Sequence, residues 1–315
     1  PVKKILLILI LAISYQTSLY SKSTSFEDLN SKNISKYFSG IVAFENKNNS
    51  KALDFFNSSK ILIDKHSSYL KKYIYTLVLE NKVPQAINLI KQNIYKENSN
   101  FLDAYLLLIV DSIKRNDLDK AQNLLMDAQN IDLDRFNKAI LQSLEQFIFV
   151  FKQNKILENK KNLGKLSIIS ETFQRCYLED PKTESYFLSL VNDKDGNFSR
   201  YFYFYISYLV EQGREVDAID KVDDLEFINA NLLLSQGKSW IEDKKFSKFK
   251  DFFSCKNYKD IISEFFFIIS NLYSSENNFE KSNFYLNLSN YLNPKFEFNL
   301  SLAAENFYLN NEFDK

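Results

Sequence analysis

The chain has 315 residues, of which 45% are hydrophobic and 16% aromatic. This apolar content is enough to bury a core along most of the length and excludes extensive disorder, whereas only 5 glycines and 4 prolines disfavour turn-rich β folds and glycine-loop nucleotide sites. Because 40 basic residues balance 40 acidic ones, no net charge attracts the protein to nucleic acid or to anionic lipid.

The first predicted element is a secretory signal in residues 1–23. Lys3 and Lys4 precede an unbroken apolar run at residues 5–13, a layout typical of a signal peptide. The run is shorter than the roughly 20 apolar residues that cross a bilayer. We therefore expect cleavage and export, with an uncleaved N-terminal anchor as the alternative. The heavy use of Lys, Asn, Ile, Phe and Tyr is typical of an AT-rich bacterial genome, so the expected location is the periplasm, or the inner membrane facing the periplasm if the anchor stays.

From about residue 33, apolar stretches with helical spacing alternate with short polar breaks, which predicts helical hairpins. The second helix of each early hairpin opens with an alanine. Ala52, Ala86 and Ala121 are 34 and 35 residues apart. Near the end of the chain, Ser282 occupies the same place in another hairpin, and Pro294 lies 12 residues after it, where a helix should stop. Self-similarity at this period indicates a repeat architecture.

This pattern resembles the tetratricopeptide repeat family, whose units are helix-turn-helix pairs of 34 residues. The resemblance implies an all-α fold, a right-handed α-solenoid of stacked helical hairpins with a degenerate middle. A single hairpin cannot bury its apolar face alone, but stacked neighbours can. The family places small residues where two helices cross and a proline at the unit end, and the corresponding positions here are Gly40, Ala52, Ser59, Ala86, Ala121, Ala128, Ser282, Ser289 and Pro294.

The repeat pattern divides the chain unevenly. Residues 24–132 hold repeat-like units at about 33–65, 66–98 and 102–132, and residues 263–315 hold two more, the last one incomplete. We read 133–198 as a degenerate helical region and 199–262 as degenerate helical repeats. A linker between separate domains, breaking at 152–165, is the alternative for the middle. Because the last unit stops in its turn, we expect the native chain to continue.

Few residues offer catalytic chemistry. The phosphate-loop, zinc-protease, nucleophile-elbow and paired CxxC motifs are absent, so we expect no enzyme, cofactor or metal site. The lone His66 lies in a polar turn and is expected to be solvated. Cys176 and Cys255 can pair in an oxidising compartment, but isolated cysteines on apolar helices are more typical of unpaired buried residues. Five aromatics at 201–205 cover every side of a helix, and we expect neighbouring helices to enclose them; a partly exposed binding surface is the alternative.

In the tetratricopeptide family, partners lie in the concave groove lined by the first helix of each unit. The resemblance implies a groove that mixes apolar, aromatic and basic side chains, which suits a polypeptide partner better than a small metabolite. Alternatively, Ile41, Val78 and Val110 simply pack on second helices. The groove candidates are Tyr37, Phe44, Lys71, Tyr75, Leu106, Lys114, Arg200, Tyr203, Ser207, Phe267 and Asn271.

The expected function is a non-catalytic scaffold of the bacterial envelope that binds a protein or peptide and no nucleic acid. Two alternatives remain open. One is a structural subunit that is tethered to the membrane by its N-terminal segment. The other is the recognition module of an enzyme whose catalytic part lies beyond residue 315.

Overall fold

In a computed structural model, the chain folds into α-helices. The structure describes residues 29–93, 99–158, 162–192, 198–223 and 232–310, and across these ranges it contains sixteen α-helices and no strand. The all-α prediction is therefore confirmed. The predicted signal in 1–23 and the turn of the last, incomplete unit lie outside the described residues.

The helices begin and end as follows. In chain order they are α1 (Ser31–Glu45), α2 (Asn49–Ser58), α3 (Ser67–Leu79), α4 (Val83–Asn93), α5 (Leu102–Lys114), α6 (Leu118–Ala128), α7 (Arg135–Gln153), α8 (Lys165–Tyr177), α9 (Thr183–Val191), α10 (Phe198–Glu211), α11 (Glu215–Asp223), α12 (Leu232–Glu242), α13 (Ser247–Phe252), α14 (Tyr258–Ser275), α15 (Phe279–Leu292) and α16 (Leu300–Leu309). Two short 3₁₀ turns, Lys60–Leu62 and Glu297–Asn299, follow α2 and precede α16.

Short polar side chains begin the second helices of several hairpins. Asn48 before α2, Asp117 before α6 and Asn278 before α15 each accept a hydrogen bond from the backbone N–H three residues further on. The first N–H groups of a helix have no partner inside it, so a side-chain oxygen at this position satisfies one of them. The polar breaks in the sequence are therefore helix starts as well as turns.

Within the described ranges, seven hairpin turns share one backbone geometry. In each, one residue adopts the left-handed conformation with φ between 53° and 71°. Its N–H bonds the carbonyl three residues earlier, and the next N–H bonds the carbonyl five residues before it, which is the Schellman pattern. Three of these turns lie in the region predicted to be degenerate, so the hairpin geometry continues where the small-residue pattern lapses. The left-handed residues are Lys47, Asn81, Asn116, Glu179, Gly213, Lys244 and Asn277.

The chain divides into two compact units, the first ending at Tyr69 and the second starting at Leu70. In the described part of the first unit, α1 packs on α2. Tyr37 stacks on Tyr69 with ring centroids 4.8 Å apart, and the Tyr69 hydroxyl donates to the carbonyl of Phe56. These rings form the core of the unit.

In the second unit, consecutive helices pack on one another, and the C-terminal hairpin α14–α15 also packs on helices much earlier in the chain. Helix α15 contacts α4 and α5, and α14 contacts α7 and α8. The Asn287 amide, for example, donates to the carbonyl of Val78, 209 residues away. In a simple repeat array each repeat contacts only its neighbours. The hairpin α14–α15 therefore differs from a repeat of a simple array, because it contacts helices that are not its neighbours in the chain.

Candidate functional site

The predicted small positions are buried where helices pack. A Cβ added to Gly40 would lie 2.9 Å from the ring of Phe56, so only glycine fits this crossing of α1 and α2. In α14–α15, the Ser270 hydroxyl donates to the carbonyl of Ser282. Pro294 lies in the exposed turn that follows α15. The positions that are fully buried, with side chains 0% exposed, are Ala52, Ser59, Ala86, Ala121, Ala128, Ser282 and Ser289.

In the first unit, the two predicted groove residues belong to the core. Tyr37 and Phe44 are buried, and a hydrogen bond of 2.7 Å joins the Tyr37 hydroxyl to Nδ1 of His66. The His66 side chain is exposed, in agreement with the turn position predicted for it. Tyr37 and Phe44 therefore do not line an open surface, because their side chains fill the contact between helices.

In the second unit, the C-terminal hairpin covers the predicted groove. The ring of Tyr75 stacks on Phe284 of α15 with centroids 4.8 Å apart. Half-buried Lys114 donates from Nζ to the carbonyl of Leu292 at 3.0 Å and lies over the ring of Tyr291. The expectation of an open groove at Tyr75 and Lys114 is corrected by these contacts, since α15 of the same chain occupies the space.

A buried ion pair ties α10 to the same hairpin. The Arg200 guanidinium binds both carboxylate oxygens of Glu264 on α14, and it also donates to the amide oxygen of Asn299 at 2.9 Å. It lies 3.5 Å from the centroid of the Phe267 ring. Burial raises the pKa of Glu264, and the guanidinium opposes this shift. Arg200 and Phe267 thus serve packing rather than an open groove.

The remaining groove candidates fall into two groups. Leu106, Tyr203 and Ser207 are buried in the core, and the hydroxyl of Tyr203 has no hydrogen-bond partner among the described residues. Lys71 and Asn271 are exposed. Of the predicted groove, these two side chains are therefore the ones freely open to solvent.

Tyrosines and a carboxylate gather where α3, α5, α14 and α15 approach one another. Burial raises the pKa of Tyr75, and the Asp103 carboxylate adds to this effect. Burial likewise raises the pKa of Tyr273 to about 12. Burial also raises the pKa of the Asp103 carboxyl, whereas the ammonium groups of Lys71 and Lys281 lower it. These phenols stay protonated at neutral pH, so they are poor bases and poor nucleophiles.

The aromatic run at 201–205 is enclosed, as predicted. All five side chains are buried, and Tyr203 contacts the rings of Phe249 and Phe296. On α12, a Cβ at Gly237 would lie 3.0 Å from the Tyr203 ring, so a second glycine permits a close helix crossing. This crossing lies outside the 34-residue pattern, which is why the sequence alone did not reveal it.

Cys176 and Cys255 form a disulfide, which corrects the expectation of two unpaired cysteines. The bond joins α8 to the loop before α14, and the two Cα atoms are 5.5 Å apart. The loop is also held by Glu211, which accepts hydrogen bonds from the Ser254 hydroxyl and the Cys255 N–H. The two positions are 79 residues apart in sequence, so only the packing of α8 against α14 brings the sulfur atoms together.

In the first unit, an open groove of about 500 Å³ lies between α1 and α2. Phe38 and Val42 lie one helical turn apart on it and are 57% and 58% exposed. We call this surface the first-hairpin groove. It is lined by Ser35, Phe38, Ser39, Val42, Ala43, Asn46, Asn48, Lys51 and Phe55.

Sequence reasoning assigned the neighbours of these residues to a binding surface, choosing Tyr37 and Phe44 instead of Phe38 and Val42. The available signal was the four-residue spacing of Phe38 and Val42 beside small residues at positions 35, 39 and 43. Periodicity cannot say which of two adjacent apolar stripes is covered. The packing of α2 on α1 decides it.

The described ranges contain no cluster of three or more His, Cys, Asp or Glu side chains arranged to hold a metal ion. Among the helices in these ranges, none is both long enough and apolar enough to cross a membrane.

Comparisons with known proteins return no match. No protein-family model matches the chain, no curated protein matches it, and no solved structure matches it. What the chain does is therefore inferred from its own residues and contacts.

Proposed function

We propose that the chain is a non-catalytic scaffold that binds a protein or peptide partner in the bacterial envelope. The observation that carries this proposal is the first-hairpin groove, where Phe38 and Val42 are more than half exposed. Exposed apolar side chains that adjoin one another are a feature of protein contact surfaces. A groove between two helices that is lined by both apolar and polar side chains suits a polypeptide that docks through a few anchoring side chains.

We further propose that the architecture is a divergent α-solenoid of tetratricopeptide type. The seven shared turns support this, because a repeated turn gives successive hairpins the same helix-to-helix geometry. The small residues at the crossings of α1 with α2 and of α14 with α15 support it as well. In this proposal α14–α15 fills the concave side of the second unit, so the partner binds the first-hairpin groove rather than a concave groove.

Export to the periplasm is part of the proposal. Disulfides form and persist in oxidising compartments and are rare in the bacterial cytosol. The pairing of Cys176 with Cys255 therefore supports an exported protein, in agreement with the signal expected in residues 1–23.

A binding role without catalysis fits the way in which buried charges are used. Arg200 and Glu264 neutralise each other between α10 and α14. Glu211 accepts hydrogen bonds from the loop that carries Cys255. These ionisable groups hold elements together, and their hydrogen bonds are directed at the protein itself.

Site-specific crosslinking tests the proposal. A photo-crosslinking amino acid replaces Phe38 in the full chain, which is then irradiated in the native envelope fraction. Matched controls carry the crosslinker at Val216, an exposed apolar residue of α11, and at Asn271, an exposed residue of the predicted concave groove. We expect a discrete protein adduct from position 38 and only background from the controls. If position 38 gives no polypeptide adduct above the Val216 background, the proposed function is wrong.

A further inference from the structure

The shape of the first-hairpin groove indicates what kind of segment fits it. The lining residues run from Ser35 in α1 to Asn46, which directly follows the helix, over about 17 Å or three turns. Ser35, Ser39 and Ala43 recur every four residues and form a shallow furrow, while Phe38 and Val42 form a ridge beside it. Ridges and furrows at this spacing are the surfaces by which helices pack on one another. The groove therefore matches a helix of about three turns.

The apolar residues of the groove indicate that the face of the partner helix turned toward it is apolar. Phe38 and Val42 are exposed, and Phe55 on α2 is partly buried. These three side chains offer one aliphatic and two aromatic contacts in the groove. A partner helix with apolar residues three or four positions apart would bury all three at once.

The charge of the groove and its surroundings indicates which residues flank the apolar face of the partner helix. Lys51 is the one charged residue of the lining, and it lies in the first turn of α2, where the helix dipole is also positive. Although the whole chain has no net charge, the described part of the first unit is cationic. It contains Lys32, Lys36, Lys47, Lys51, Lys60 and Lys65 against Glu45, Asp54 and Asp64. Complementary charge speeds association and selects partners.

We infer that the first-hairpin groove binds an acidic amphipathic helix of a partner protein. Its apolar stripe packs on Phe38, Val42 and Phe55, and carboxylates at the edge of the stripe lie near Lys51. This inference rests on the proposed function, because it names the chemistry of the partner that the scaffold holds.

The test uses two synthetic helical peptides of about 14 residues, long enough to span the groove. Both carry leucines at three- and four-residue spacing; one has glutamates and the other lysines at the flanking positions. Binding to the full-length protein is measured by fluorescence anisotropy at low and high salt. We expect the glutamate peptide to bind at least about tenfold more tightly than the lysine peptide, with a preference that shrinks at high salt.

Two variants locate the binding. Lys51→Glu should weaken the glutamate peptide by about tenfold and strengthen the lysine peptide. Phe38→Asp should abolish binding of both. Each changes an exposed side chain, and unchanged far-UV circular dichroism serves as the control for folding. Lys120→Glu, at an exposed position of the second unit and three residues after a capping side chain as Lys51 is, is the matched control that should leave the binding of both peptides unchanged.

The outcomes separate this inference from the proposed function. Equal binding of the two peptides, or binding that Lys51→Glu leaves unchanged, would overturn the acidic helix. If neither peptide binds while position 38 still crosslinks to a protein, the scaffold stands and the acidic helix is wrong. Self-association that Phe38→Asp abolishes would assign the groove to a second copy. Competition by a peptide of residues 1–28 would assign it to this chain's own N-terminal segment.

Discussion

Reduction of the disulfide between Cys176 and Cys255 should lower stability without changing the fold. The bond closes a loop over a sequence separation of 79 residues. A crosslink acts mainly by restricting the unfolded chain, and the restriction grows with the logarithm of the loop length. For a loop of this size the chain-entropy relation gives about 4.5 kcal/mol at 25 °C, which we take as the upper limit of the loss.

The folded state should keep its contacts when the bond is broken. Glu211 accepts hydrogen bonds from the Ser254 hydroxyl and the Cys255 N–H, and Asp260 accepts one from the Ser254 N–H at 3.1 Å. These bonds hold the loop to α10 and α14 independently of the sulfur atoms. The expected loss of about 2–4.5 kcal/mol therefore comes chiefly from the unfolded state.

Urea denaturation of the full-length protein, followed by far-UV circular dichroism, measures this loss. Oxidised protein, protein kept in dithiothreitol and the Cys176→Ala/Cys255→Ala variant are compared. We expect the same native spectrum in all three and a lower midpoint in the last two. In these two samples the unfolding free energy should also fall more steeply with urea concentration, because an unfolded chain without the crosslink exposes more surface.

Two results would refute this reasoning. One is an unchanged midpoint on reduction. The other is the labelling of two thiols in unfolded, unreduced protein by an alkylating reagent, which would show that the cysteines are not paired.

Three further predictions concern the packing. Gly40→Ala should destabilise the protein by about 1–3 kcal/mol in urea, although alanine favours helices, because its Cβ would meet the Phe56 ring at 2.9 Å; a more stable variant would contradict this crossing. Arg200→Met should lower the unfolding free energy by about 3–5 kcal/mol, because it leaves the Glu264 carboxylate buried and unpaired. The double variant Arg200→Met/Glu264→Leu should recover most of that loss. If the single and double variants lose the same unfolding free energy, the ion pair is contradicted. Burial raises the pKa of Asp260 to about 6, so the folded state binds this proton more tightly than the unfolded state. This group should therefore make stability fall as pH rises from about 4 to 6, and Asp260→Asn should make that fall smaller in a pH series of urea midpoints.

Local features of the fold were readable from the chain itself. The polar breaks near Asn48 and Asp117 are helix starts because their side chains bond nearby N–H groups. The small residues at Gly40 and Ala52 marked a helix crossing because a larger side chain would meet the facing helix. Such features depend on residues close in sequence, so propensity and spacing are enough to find them.

The candidate site was only partly predictable. Helical spacing indicated that α1 has an apolar face, but the resemblance to tetratricopeptide repeats placed Tyr37 and Phe44 in an open groove. The open side chains are Phe38, one position after Tyr37, and Val42, two positions before Phe44. One residue corresponds to a rotation of about 100° around the helix axis, and which stripe is covered depends on how α2 crosses α1.

By itself, the sequence determined the helical class, the hairpins, and the buried small residues at their crossings. Only the tertiary structure decided that α14–α15 covers Tyr75 and Lys114 and that Cys176 meets Cys255. These contacts join residues 79 to more than 200 positions apart. Periodicity describes which face of a helix is apolar, whereas the partner of that face is chosen by the packing of the whole unit, which no local pattern contains.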